Sequence, residues 1–273
     1  MTQLLAGLLA CLLGTPASAT STAASARTAA SAPSPAVGGM IPVGPGVYQP
    51  IFPVSADTST VAVARFSLDR RPVTVAEFAA FVATHRAWTR DAAPQFLADA
   101  SYLRSWAAND APGDARAADE PVTEVSFFAA RAYCAARGAR LPTEAEWEIA
   151  AAAGDRGPDG RREPGFTQRI LDGYGRPATD HRSVGLGRPN FWGVHDIHGL
   201  IWEWTSDFNR ASSANDRDTQ ARFCGGSALG SAQRDDYPAF MRAALRSSLV
   251  GNSTVSGLGF RCARDLRGRK GGR

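Results

Sequence analysis

A chain of 273 residues that is 44% hydrophobic and carries six Trp and 13 Phe has enough apolar material for a sizeable core, which excludes global disorder. No apolar run reaches the roughly 18–20 residues that span a bilayer, so no membrane span is expected and the mature chain reads as soluble. The formal charge of +4 equals that of the stretch from Arg264 to Arg273, with five Lys/Arg and one Asp; the rest is near neutral, which sets nucleic acid aside as a partner.

Residues 1–19 carry an apolar stretch from Leu4 to Gly14 and then Ala17-Ser18-Ala19, the pattern of a secretory signal cleaved after Ala19. No Lys or Arg precedes the apolar stretch, and Leu8-Leu9-Ala10-Cys11 leaves a lipoprotein signal as the alternative. Export to the periplasm or beyond is the expectation. Residues 20–36 read as a Ser/Ala/Pro linker, 37–265 as the folded domain and 266–273 as a basic tail.

Three helices announce themselves by their caps. Thr74 and Glu77 form a capping box, followed on one face by Phe78, Phe81, Val82 and His85. Ser126 caps a helix running to Arg137, with Gly138 as its left-handed stop and with Phe127, Ala130 and Cys134 on the inner side. Thr143 and Glu146 form a second capping box, after Pro142, opening a helix through Trp147 and Ala150 to Gly154. Beyond Gly154 no run keeps a helical or strand period, yet Phe191, Trp192, Trp202, Trp204, Phe208, Phe223, Phe240 and Phe260 fall there. So many aromatics imply an ordered but irregular half, and long ordered loops need fastening by a metal ion, a disulfide or both. If the leader is removed, Cys134, Cys224 and Cys262 remain: one pair and one spare thiol, with the pairing open at this level.

Four segments, read together, resemble the formylglycine-generating-enzyme family, the sulfatase-modifying factors. They run from Phe66 to Phe78, from Pro121 to Glu148, from Asn190 to Trp204, and from Cys224-Gly225-Gly226-Ser227 to the closing Leu258-Gly259-Phe260-Arg261-Cys262. Their order and spacing match from Gly39 to Asp265, and the string from Arg140 to Glu148 is the most specific part. The resemblance implies an α+β domain of that family's fold, related to C-type lectins and low in regular structure. It also implies a disulfide between Cys134 and Cys262, and a structural calcium site at Asp196, Gly199, Ile201 and Glu203, the two middle residues acting through their carbonyls. Two carboxylates seven residues apart around a Gly turn suit a hard cation. The alternative is that Asp196 caps a turn and Glu203 pairs with an arginine. A second family calcium site is expected between Gly154 and Asn190, with ligands not assigned.

The resemblance further implies oxidation of a cysteine in a target protein by oxygen and copper(I), the metal being held by two cysteines downstream of Gly-Gly-Ser. Soft thiolates suit that ion. Here Ser227 stands at the family's Ser, but Ala228 to Arg242 contains no cysteine and Gly257 replaces a substrate-groove Asn. The usual copper site is therefore not expected. The candidates for catalytic positions are Ser227, Trp202 and Cys224, the last as nucleophile, metal ligand or inert buried thiol. His195 and His198 suit a structural role or a transition metal. Arg242 and Arg246 suit a substrate groove, binding an anion or pairing with Asp235 and Asp236. The chain lacks a P-loop, a dinucleotide-binding Gly fingerprint and a His-Glu-x-x-His motif. Iron-dependent relatives that make sulfur–carbon bonds use three His ligands on an added helical domain, which this chain is not expected to supply. The expectation is a monomeric, exported maturation or accessory factor for an exported protein or peptide; the alternatives are a binding module on the same fold and an oxidase rearranged around Cys224.

Overall fold

The computed structural model describes residues 39–51, 60–113, 116–177, 182–209 and 237–266. Four short strands come first: β1 (Met40–Val43), β2 (Gly46–Tyr48), β3 (Val61–Val63) and β4 (Phe66–Asp69). β1 and β4 are antiparallel, with Val43 opposite Phe66, and β2 pairs with β3. The last strand, β7 (Ala263–Asp265), lies on the other side of β4 with Asp265 opposite Phe66. Between them β5 (Trp202–Glu203) runs parallel to β6 (Leu258–Gly259). Ladders this short are marginal alone, so packing and side-chain pairs must hold them.

The three capped helices form as their local chemistry dictates. In α1 (Val75–Thr84) the Thr74 hydroxyl accepts from the Glu77 N–H at 3.2 Å, and the Glu77 carboxylate accepts from the Thr74 N–H at 2.9 Å. Val75, Phe78, Phe81 and Val82 are buried. His85, expected on that face, is instead the exposed C-cap, stacked on Phe81 at 4.4 Å. In α2 (Phe127–Ala136) Ser126 accepts from the Ala129 N–H at 3.2 Å, and Gly138 beyond the end has φ +63°. In α3 (Glu144–Ala152) the Thr143–Glu146 capping box is present, and the helix stops before the expected Gly154.

Two helices correct the expectation that regular structure ends at Gly154: α4 (Phe166–Tyr174) and α5 (Tyr237–Ser248). The inner stripe of α5 includes Pro238, Arg242 and Arg246, so an apolar period could not reveal it. α4 buries Phe166, Ile170 and Gly173 but starts at Gly165, with no side-chain cap.

The core has two clusters. In the first, Phe78, Tyr133, Trp106 and Phe260 meet with ring centroids 5.3 to 6.2 Å apart, each fully buried large side chain stabilising by about 1.5–3 kcal/mol. In the second, Val43, Phe66 and Leu68 of the sheet pack with Trp147, Ile149 and Ala150 of α3 and with Val194 and Ile197. The first cluster contains the one disulfide among the described residues, Cys134 to Cys262, with sulfurs 2.00 Å apart. Beside it Asp69 takes a two-pronged contact from Arg137 at 2.8 and 3.0 Å and accepts from the Cys262 N–H at 2.9 Å. Sheet, α2 and the C-terminal strand are thereby joined at one point.

Candidate functional site

Parallel pairing of β5 with β6 brings Trp202 to Gly257: the Trp202 N–H donates to the Gly257 carbonyl at 2.8 Å. The half-buried Trp202 ring contacts Tyr174 of α4, with centroids 4.7 Å apart. These three residues line a small cavity of about 50 Å3, together with Arg176, Arg182 and Gly199. The sequence makes Trp202 a catalytic candidate and places Gly257 at a substrate-groove position, and the structure brings the two together at this cavity. Cys224 and Ser227, like Asp235 and Asp236, lie outside the described residues.

Behind the groove Glu203 and Arg261 form an ion pair with no exposure on either side chain. Nε and Nη2 of Arg261 each donate to one Glu203 oxygen at 2.7 Å, and Trp147 Nε1 donates to the same carboxylate at 2.8 Å. The remaining guanidinium donors reach the carbonyls of Asp69 at 3.3 Å and His195 at 3.1 Å. A buried charge pair is tolerable only when satisfied in this way, and Arg261 thereby ties β4, β5 and the His195 loop together.

That arrangement bears on the calcium set. Asp196 adopts φ +54°, a conformation in which Asp is enriched among non-glycines, and accepts from the Gly185 N–H. The Gly199 carbonyl accepts from Arg182 at 3.2 Å, and Glu203 is held by Arg261. As placed, both Glu203 oxygens, Asp196 Oδ2 and the Gly199 carbonyl accept from N–H donors, the arrangement of a turn cap at Asp196 and an arginine pair at Glu203, while no donor reaches Asp196 Oδ1 or the Ile201 carbonyl among the described residues. Among the described residues there is no group of three or more His, Cys, Asp and Glu arranged for a metal.

Gly199 itself has φ +74°, and a side chain there would come within 2.4 Å of the Gly173 Cα. Bare backbone at both positions lets α4 seat against this turn and bring Tyr174 to Trp202. The histidines serve the same frame. His195 Nδ1 is 2.8 Å from the Gly187 carbonyl and His198 Nε2 is 2.8 Å from that of Ala151. A carbonyl only accepts, so His198 Nε2 carries the proton. Burial, then Arg242, lowers the His198 pKa to about 4.

Arg242 and Arg246 do not stand open to a ligand. Both meet Glu148 of α3, Arg242 through two contacts at 2.8 and 2.6 Å and Arg246 through one at 2.8 Å. Arg246 also approaches Glu144 at 3.4 Å, Arg242 donates to the Tyr174 hydroxyl at 2.9 Å, and both lie over the Trp147 ring at 5.3 and 5.0 Å. Burial by itself would raise the Glu148 carboxyl; the two guanidiniums outweigh it and hold it at about 2. Glu144 and Glu148, the partners here, went unnoticed in the sequence; the signal was an i,i+4 pair of carboxylates on α3 facing an i,i+4 pair of arginines on α5.

Residues 25–266 match the family model described as sulfatase-modifying factor enzyme 1-like domain. The chain belongs to that family, the formylglycine-generating-enzyme or sulfatase-modifying-factor family. It is 31% identical over 263 residues to the formylglycine-generating enzyme of Streptomyces coelicolor, covering 78% of this chain and 83% of that protein. It is 34% identical over 196 residues to hercynine oxygenase of Mycolicibacterium smegmatis, covering 61% and 44% of the two chains. To inactive C-alpha-formylglycine-generating enzyme 2 of Bos taurus it is 35% identical over 156 residues, covering 52% and 50%. The chain thus spans about half the length of these last two relatives. The crystal structure of CarF shares its fold at a TM-score of 0.50 and 18% identity, over 84% of this chain and 98% of that one.

Proposed function

We propose that this chain is an exported maturation or accessory factor, built on the formylglycine-generating-enzyme fold, that acts on an exported protein or peptide without the usual two-thiolate copper centre. The fate of the cysteines carries the reading. Cys134 and Cys262 are bonded to each other and fully buried, and Ala228 to Arg242 holds no cysteine. Beyond the expected leader only Cys224 is left, and one thiolate does not make the two-sulfur site that suits copper(I). A buried disulfide also favours an oxidising compartment. The family accommodates such a loss of chemistry: its named relatives include an oxygenase, a formylglycine-generating enzyme and a protein called inactive.

The test combines anaerobic copper(I) titration with mass analysis of a Cys-x-Pro-x-Arg peptide incubated with the protein under oxygen. No one-to-one copper complex and no aldehyde product are expected. Conversion to the aldehyde that disappears in Cys224→Ala would overturn the proposal in favour of a rearranged oxidase. Deleting the gene should leave an exported protein with an altered intact mass; if every exported protein keeps its mass, the non-catalytic binding module becomes the better reading.

A further inference from the structure

We propose that the cavity beside α4, under the loop from Gly187 to Leu200, binds a small polyanion: a molecule presenting two or more carboxylate or phosphate groups. The cavity encloses about 250 Å3, a little below the usual range of about 300–1,000 Å3 for small-molecule sites, so it suits a ligand of metabolite size. Among the described residues its lining includes four arginines, Arg169, Arg176, Arg182 and Arg188, and two acidic residues, Asp155 and Asp196. Among the described lining residues the arginines outnumber the carboxylates by two, in a concave space where low-dielectric walls focus the field.

Two of these arginines, Arg176 and Arg188, are exposed at the mouth of the cavity, while Arg182 donates to the Gly199 carbonyl at 3.2 Å. Among the described residues Arg176 bonds only through its backbone N–H, to the Gly173 carbonyl at 3.3 Å, and no contact of the Arg188 side chain is seen; Arg169 donates to the Pro164 carbonyl at 3.0 Å and lies near enough to Glu163 to lower that carboxyl's pKa. Asp196 is occupied by the Gly185 N–H. This contrasts with Arg242 and Arg246, which both pair with the buried Glu148, and with Arg261, which pairs with the buried Glu203. Guanidiniums with free forked donors match carboxylate and phosphate oxygens two at a time. Arg176 and Arg182 also line the smaller cavity at Trp202 and Gly257, so an anion held here lies next to the groove. The inference concerns binding alone and holds whether or not the groove turns over a substrate.

Isothermal titration of the full chain at low ionic strength tests it, with citrate and inorganic phosphate as probes and glycerol as the neutral comparison. Citrate should bind saturably, more tightly than phosphate, and weaken as chloride is added. The double variant Arg176→Ala/Arg188→Ala should keep the wild-type unfolding temperature without ligand, since both side chains are exposed, and lose about tenfold or more in citrate affinity, the loss expected for removing charge-assisted contacts. Arg86→Ala, outside the lining, should bind citrate as wild type does. The proposal fails if citrate and phosphate give no more heat than glycerol, if the double variant binds undiminished, or if Arg86→Ala loses as much. It also fails if a hexaglutamate peptide binds while citrate does not, which would make the patch a protein-docking surface.

Discussion

Glu148→Gln should release α5 from the rest of the domain. In the wild type one buried carboxylate answers two guanidiniums, at 2.6 to 2.8 Å, with 6% of its side chain exposed and 8% and 7% of theirs. Glutamine keeps the shape and one acceptor oxygen but removes the charge and turns the other oxygen into an N–H donor facing a guanidinium; the ionic contact left to Arg246 is the 3.4 Å approach to Glu144, and Arg242 keeps the hydroxyl of Tyr174. Breaking a buried pair by deleting one partner costs roughly 3–5 kcal/mol; the surviving contacts place this case near the lower end, about 3 kcal/mol, against a total stability of about 5–15 kcal/mol for a typical domain. Urea titration should show a lower midpoint, and hydrogen exchange should show lost protection in the Tyr237–Ser248 amides ahead of those in α1. Glu148→Leu combined with Glu144→Gln, Arg242→Met and Arg246→Leu should recover the midpoint, because replacing a whole buried ion cluster by uncharged groups is about neutral or stabilising. A Glu148→Gln protein within about 1 kcal/mol of wild type and with α5 protection intact would refute the assignment of this cluster as the fastening.

The same carboxylate sets an acid limit. A group held at about 2 in the fold against about 4.5 in the unfolded chain stabilises the fold fully above the higher value, by roughly 3 kcal/mol, and loses that contribution as pH falls through the lower; acid titration of Glu148→Gln by circular dichroism should lack this component. Treatment with a chelator should leave the unfolding temperature unshifted, because Arg261 already engages both Glu203 oxygens; a clear drop would mean that a metal binds the folded state and would sink the reading that the ion pair alone holds this carboxylate. The disulfide closes a separation of 128 residues, worth about 4–5 kcal/mol in the chain-entropy model, so Cys134→Ser/Cys262→Ser should lower the urea midpoint accordingly. Non-reducing peptide mapping should recover the Cys134–Cys262 cross-link, and a bridge to Cys224 in its place would refute that pairing.

Much of the fold was legible because its signals are local. Thr74, Ser126 and Thr143 satisfy the first N–H groups of their own helices, and such contacts operate within four residues whatever the rest of the chain does. The family resemblance likewise rests on contiguous strings such as Arg140 to Glu148. α4 and α5 were illegible for opposite reasons: the first has an apolar stripe but no cap, and the second presents arginines where an apolar stripe would be sought.

The residues about the groove show where local reading stops. Asp196 and Glu203 have the right chemistry and spacing for a hard cation, and sequence left a turn cap and an ion pair as the alternative. Only folding settles what reaches them: Arg261 arrives from 58 residues away along the chain and takes the Glu203 carboxylate, with Trp147 donating from 56 residues away. Arg242 and Arg246 were read as facing a substrate or the nearby aspartates, and the fold turns them onto Glu148, more than ninety residues distant. Composition and short-range pattern thus determine the capped helices, the family and the missing thiol pair, since these are properties of neighbouring residues. Which carboxylate neutralises which guanidinium, and which guanidiniums are left over to line a cavity, depends on burial and on groups far apart in sequence, so it exists only once the chain has packed.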